Sequence, residues 1–194
     1  MRTAVITGAS SGIGAALAVE LGTRGWRLAL GARRMDRLER VAQAAREAGA
    51  TAIACALDVT DPASIDAFWH RAEAELGDID TLISNAGRAT LGPLMECSDA
   101  ELAADVGVNL LGHLWMVKRA LPKMVERRGG DLVFVGSDVA VRPKPDLAAY
   151  TACKAGLEAL ARSLAMETHA SGIRTMLARL GATATEFGAD LPDA

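Results

Sequence analysis

Short apolar runs alternate with longer amphipathic stretches along almost the whole chain. "TAVITG" (3–8) is continuously apolar, the pattern of a strand buried on both faces. Ile13, Leu17 and Leu21 then recur at helical spacing over 12–24. "RLALGA" (27–32) predicts a second strand, 35–48 a charged helix with Leu38 and Val41 inward, and "TAIACAL" (51–57) a third strand. Asp61 followed by Pro62 gives an N-cap and first-turn proline for a helix to about Leu76.

"IDTLISNAG" (79–87) predicts a fourth strand. Ser98 and Glu101 form a capping box ahead of a long helix ending near Arg127, with Pro122 expected to kink or shorten it. "DLVFVGS" (131–137), a loop with Pro143 and Pro145, a helix over 147–170 and "IRTMLARL" (173–180) complete the series. The last fourteen residues, "GATATEFGADLPDA", carry no strand or long-helix pattern. The alternation predicts an α/β fold: one doubly wound, Rossmann-type parallel sheet of about six strands with helices on both faces. No linker or repeat interrupts it, so residues 1–194 read as a single domain.

Composition narrows the class. Half of the 194 residues are hydrophobic, only 4% are aromatic, and the net charge is −3, which offers no basic field for nucleic acid or an anionic membrane. Cys55, Cys97 and Cys153 form no CxxC pair, and with His70, His113 and His169 they make no metal-ligand spacing. Reduced thiols, no signal-peptide pattern in "MRTAVITGAS" and no long apolar run lead to the expectation of a soluble, cytoplasmic protein without a metal.

"TGASSGIG" (7–14) joins the first strand to the first helix. Small residues there let the backbone approach a pyrophosphate while the helix N-terminus offers free N–H groups. The spacing of Gly8, Gly12 and Gly14 is neither G-x-G-x-x-G nor a Walker loop, so a tight structural turn is the alternative. The second strand ends in "GARR", where an NAD-binding protein usually offers an acid to the ribose. Arg33 and Arg34 could instead grip a 2′-phosphate, Arg33 more strongly because it is nearer the strand, or simply solvate a helix start.

Tyr150 is the only tyrosine, and Lys154 follows it by one helical turn. Lowering a phenol pKa by three units takes about 4 kcal/mol. A cation at about 4 Å supplies roughly that at an effective dielectric near 20. The pair could therefore move a proton to or from an alcohol oxygen, with Ser137 at the end of the fifth strand positioning that oxygen. A tyrosine packed along a lysine stem is the bland reading of Y-x-x-x-K by itself.

Taken together, "TGASSGIG", "LDV" (57–59), "SNAG" (84–87), "VNLLG" (108–112), Ser137 and "YTACK" (150–154) resemble the short-chain dehydrogenase/reductase family from Thr3 to about Thr185. The resemblance implies a catalytic tetrad of Asn109, Ser137, Tyr150 and Lys154, with Asn109 carrying a water-linked relay from Lys154. It implies a cofactor site of Gly8, Ser10, Ser11, Gly12, Ile13 and Gly14 in the turn, Asp58 and Val59 beside the adenine, and Asn85, Ala86 and Gly87 along the middle. Tyr150, Lys154, Thr183 and Thr185 complete that site. "ARR" resembles the NADP-preferring members, so NADP(H) is expected over NAD.

Departures from the family pattern are Ser84 in place of a commoner Asn, Asp138 after Ser137, and Leu180 in place of a proline before Gly181. The family also continues into a substrate lid and a last strand, which are expected to be missing here. The implied activity is hydride transfer between NADP(H) and a secondary alcohol or carbonyl, on a small molecule bordered by 139–146, where Arg142 and Lys144 could favour anions. The alternatives are a catalytically weak, redox-sensing or scaffolding dinucleotide module, or another doubly wound nucleotide binder such as a methyltransferase. The resemblance further implies a homodimer, or a homotetramer, paired through the long helix and the Tyr150 helix. Leu110, Leu114, Val117, Leu157, Leu160 and Leu164 supply more apolar positions than one sheet-facing stripe requires.

Overall fold

The structure, a computed structural model, describes residues 1–183. Thr185 and the 184–194 part of the closing segment lie outside the described residues. Six strands are joined by helices: β1 (Thr3–Thr7), α1 (Gly12–Thr23), β2 (Arg27–Ala32), α2 (Met35–Glu47), β3 (Thr51–Ala56), α3 (Pro62–Leu76) and β4 (Thr81–Ser84). Then follow α4 (Asp99–Val106), α5 (Gly112–Glu126), β5 (Gly130–Ser137), α6 (Ala148–Thr168) and β6 (Ile173–Leu180). All pairings are parallel, in the order β3-β2-β1-β4-β5-β6. The order reverses direction between β1 and β4, which opens a crevice at the C-terminal edge of those strands.

The period-two alternation within strands builds two cores. Ala4, Ile6, Leu28 and Leu30 face α1 and α2, whereas Val5, Ala29, Leu82, Leu132 and Phe134 face α3, α5 and α6. Ala18 and Gly22 on α1 and Ala42 and Ala45 on α2 are small and buried, which brings those helices close to the sheet.

Two expectations change in detail. β4 ends at Ser84 rather than at residue 87, because Thr7 captures the chain that follows. The Thr7 hydroxyl accepts from both Asn85 N and Ala86 N at 2.9 Å, so these donors leave the ladder. The long helix is not interrupted at Pro122, which sits inside α5 on an exposed face with Lys118. It is interrupted earlier, by a π-helical turn over Gly107–Leu111 in which Gly112 N donates back to Gly107 O. That extra residue turns Asn109 fully inward.

Of the six apolar positions offered for a helix interface, Val117, Leu157 and Leu164 belong to the sheet-facing core. Leu114 is exposed, as are Val106 and Leu111 beside it, while Leu110 and Leu160 are half-buried.

Candidate active site

The crevice is a cleft of about 1240 Å³ that runs along the C-terminal ends of the strands. Its first wall is the turn between β1 and α1. Gly8 has φ +66°, and a Cβ there would stand 2.8 Å from Ala86 Cα, so only glycine fits between the two segments. Ser11 caps α1 in extended conformation without a side-chain bond to the first turn, and that turn holds no acid. The helix therefore presents unclaimed N–H groups to the cleft, which suits an anion.

The basic run closes this end. Arg34 donates from Nε and Nη2 to Ser10 Oγ, both at 3.2 Å, and from Nη2 to Ser11 Oγ at 2.6 Å. Arg33 is exposed at the cleft rim and its charge acts on Asp58. Partial burial works to raise the Asp58 carboxyl. Bonds from Thr60 N and Oγ1 (2.9 and 2.7 Å), together with Arg33, nevertheless hold it below its ordinary range. Val59, Ala86 and Gly87 continue the wall, and Asn85 Nδ2 donates to Thr7 O and Gly8 O at 2.9 and 3.2 Å.

At the other end β5 and α6 bring Ser137, Tyr150 and Lys154 together. Ser137 hydrogen-bonds Tyr150, and its Oγ also accepts from Val139 N at 3.4 Å. The Lys154 ammonium lies 5.6 Å from the Tyr150 ring centre and donates to Val135 O at 2.8 Å. Burial pushes Lys154 down to about 8. The expected lowering of the phenol by Lys154 is not what dominates here. Burial raises Tyr150 above its ordinary value, and the opposing pull comes from the Ser137 hydrogen bond.

Two expected site residues do not reach the cleft. Gly14 lies behind the turn, where a Cβ would meet Gly8 O at 2.6 Å; it shapes the turn rather than lining it. Asn109 is wholly buried, and its amide is fully engaged: Oδ1 accepts from Arg88 N (3.1 Å), and Nδ2 donates to Arg88 O (2.8 Å) and Asp105 O (2.9 Å). Any relay through this position must use something other than that side chain. Thr183 does line the cleft, its hydroxyl donating to Gly181 O at 3.1 Å.

Three residues around the site carried no motif. His113 is buried behind β4 and shares a 2.7 Å hydrogen bond with Ser84 Oγ. Burial, aided by the Lys154 charge, pushes it down to about 3, so it is neutral. Ser84, the departure from the commoner Asn, is thus half of a Ser–His pair. Arg88 and Asp105 form the other unannounced pair, with Asp105 completely buried. Asp138 pairs with Arg142 at 3.5 Å. Among the described residues no group of three or more His, Cys, Asp or Glu could hold a metal ion, the three cysteines are free, and no helix is long and apolar enough to cross a membrane.

A family model described as short chain dehydrogenase matches residues 2–194. The chain belongs to the short chain dehydrogenase family. It is 36% identical over 186 residues to glycine betaine reductase ATRR of Emericella nidulans, a match covering 96% of this chain but 15% of that much longer protein. It is 38% identical over 192 residues to cis-4-hydroxycyclohexanecarboxylate dehydrogenase of Sinomonas cyclohexanicum, covering 98% of this chain and 77% of the relative. Among solved structures, the alcohol dehydrogenase of the archaeon Thermococcus sibiricus, complexed with 5-hydroxy-NADP, superposes with a TM-score of 0.91 at 36% identity. All of this chain and 82% of that one are covered. The short chain dehydrogenase fold accounts for the six-stranded parallel sheet.

Proposed function

We propose that the chain is an oxidoreductase that interconverts a secondary alcohol and a carbonyl with NADP(H). The observation that carries the reading is the sharing of one cleft by Ser137, Tyr150 and Lys154 and by an uncapped helix N-terminus behind a glycine turn. The turn from Gly8 to Ile13 and the α1 N-terminus suit the diphosphate, and Asp58 and Val59 suit the adenine. Asn85, Ala86 and Gly87 suit the middle of the cofactor, with Lys154 on the ribose and Thr183 beside the carboxamide. Arg33 and Arg34 suit a 2′-phosphate, and the Thermococcus alcohol dehydrogenase is complexed with a cofactor of that kind, 5-hydroxy-NADP. Bound there, NADPH would supply the hydride.

The protein's own groups handle the oxygen and the proton. Ser137 holds the substrate oxygen beside Tyr150, the phenol gives its proton to that oxygen as charge develops, and Lys154 steadies the phenol and the ribose. The experiment is a carbonyl screen that follows NADPH absorbance, with Tyr150→Phe as control. Loss of turnover with cofactor binding retained is expected; an active phenylalanine variant refutes the assignment.

The exposed apolar positions Val106 on α4, Leu111 in the π turn and Leu114 on α5 support a homodimer through these helices and α6. Light scattering at high micromolar concentration is expected to give twice the chain mass; a monomer would dismiss the interface.

A further inference from the structure

We infer that the substrate carries a carboxylate, and that Arg88, held in place by the buried Asp105, is the group that reads it. This rests on the oxidoreductase reading for the carbonyl end, but it concerns a different part of the cleft and a contact that can be measured without turnover.

Asp105 is on α4 and wholly inaccessible, which is costly for an acid unless it is paired and hydrogen-bonded. It is both. Oδ2 accepts from Thr90 N at 3.0 Å, while Oδ1 accepts from Thr90 Oγ1 at 3.1 Å and pairs with Arg88 Nε at 3.1 Å. Arg88 Nη2 then donates to Thr90 Oγ1 at 3.2 Å, and both main-chain groups of Arg88 are held by the Asn109 amide. One edge of the guanidinium is therefore fixed from behind. The remaining nitrogen, Nη1, has no protein partner among the described residues, and the side chain, about a third exposed, lines the cleft immediately after Gly87.

A pre-positioned planar donor with delocalised positive charge matches a carboxylate oxygen and loses little side-chain entropy on binding. Two further cations line the same cleft. Gly92 N donates to Asp146 O at 3.1 Å, which ties the Arg88 segment to the loop bearing Arg142 and Lys144, both on the same cleft. Asp138 shares its charge with Arg142, and among the described residues Asp146 is the other acid on that rim. The cofactor's phosphates do not need Arg88. Arg33 and Arg34 follow β2, which β1 and β4 separate from Ser137 on β5 by about 14 Å at ordinary strand spacing. The substrate class is accordingly a keto acid in the reductive direction and the matching hydroxy acid in the other.

The test compares 4-oxocyclohexanecarboxylate with its methyl ester as substrates. It adds a calorimetric titration of cyclohexanecarboxylate against cyclohexanecarboxamide onto the protein saturated with NADP⁺. The wild type is expected to show a KM and a Kd about tenfold or more lower for the acids, the scale of one charge-assisted contact. In Arg88→Gln both ratios collapse towards one. The double variant Arg88→Gln with Asp105→Asn does the same without leaving a buried charge unpaired, so a misfolded single variant does not remove the test. Ratios of one in the wild type, ratios preserved in the variants, no binding of either probe, or a fall in NADPH affinity instead would each overturn the inference. Turnover of acid and ester at equal KM would sink it while leaving the oxidoreductase reading intact. Arg88-dependent acid binding without any turnover would do the reverse.

Discussion

Replacing Gly14 by alanine sets two calculable effects against each other. Gly14 is in the first turn of α1 and buried, and its φ is not left-handed, so alanine's greater helix propensity should favour the variant by about 0.8–1 kcal/mol. The new Cβ, however, would stand 2.6 Å from Gly8 O, 2.7 Å from Asn85 Nδ2 and 3.0 Å from Ala9 Cα. None of these can retreat easily. Gly8 is backed by Ala86, and Asn85 Nδ2 is already bonded to Thr7 O and Gly8 O. Overpacking of this kind costs about 1–3 kcal/mol, leaving a net loss of up to about 2 kcal/mol and a displaced turn.

Gly156→Ala on α6 is the matched control. Its nearest neighbours are Leu110 Cδ1 and Cδ2 at 3.4 and 3.6 Å, an ordinary contact with a movable side chain, so the propensity gain should survive at about 0.5–1 kcal/mol. Urea denaturation reads the two stabilities, and NADPH fluorescence titration reads the turn. The expected result is opposite signs of stability change, with NADPH affinity about tenfold weaker only in Gly14→Ala, the loss of about one hydrogen bond. Equal stability and equal affinity in the two variants would refute the reasoning.

Arg33→Ala should cost about 1.5–3 kcal/mol of NADPH affinity with little change for NADH, and Arg34→Ala less; equal affinity of the wild type for the two cofactors would dismiss the 2′-phosphate reading. As Tyr150 is the sole tyrosine, its phenolate absorbance is uncontaminated: the midpoint should lie above the ordinary phenol value and rise further in Ser137→Ala, whose hydrogen bond now opposes burial. Burial works to raise Asp131, but bonds from Arg174 and Arg2 hold its carboxyl below the ordinary range, so its contribution is present above the unfolded pKa near 3.9 and is lost as pH falls through the lower folded value. Asp131→Asn should therefore lower stability at pH 7 by about 1–3 kcal/mol and flatten the acid limb of the urea midpoint against pH; an unchanged acid limb would count against it.

Much of the fold was legible because the apolar runs of β1, β2 and β5 and the caps at Asp61 and Ser98 are local signals. Asp61 does accept from Ala63 N, and the Ser98–Glu101 box is reciprocal. What the sequence hid depends on partners distant along the chain. The early end of β4 comes from Thr7, some 78 residues away. The π turn at Gly107–Leu111 reflects close packing of Gly112 on Val59, which no helical period reports. Tyr150, Lys154 and Ser137 could be chosen from spacing and strand ends, whereas Arg88 and Asp105 read as ordinary charges on a loop and a helix. Only the burial of Asp105 shows that they form a pair.

Burial acts on Tyr150 and Lys154 in opposite directions on the pH scale but favours the neutral form of each. Lys154, pushed down to about 8, still holds its proton near neutral pH and lies 5.6 Å from the phenol ring. At an effective dielectric near 20 and the ring-centre distance, that charge offers a phenolate about 3 kcal/mol, and the help fades as pH passes the lysine's own value. The phenol near pH 7 is therefore a protonated donor beside a hydroxyl and a cation. That arrangement is suited to giving a proton to an oxygen that is gaining charge, which is the reductive sense of the reaction. The oxidative sense asks for a phenolate, and thus for more positive charge beside the ring than Ser137 and Lys154 provide.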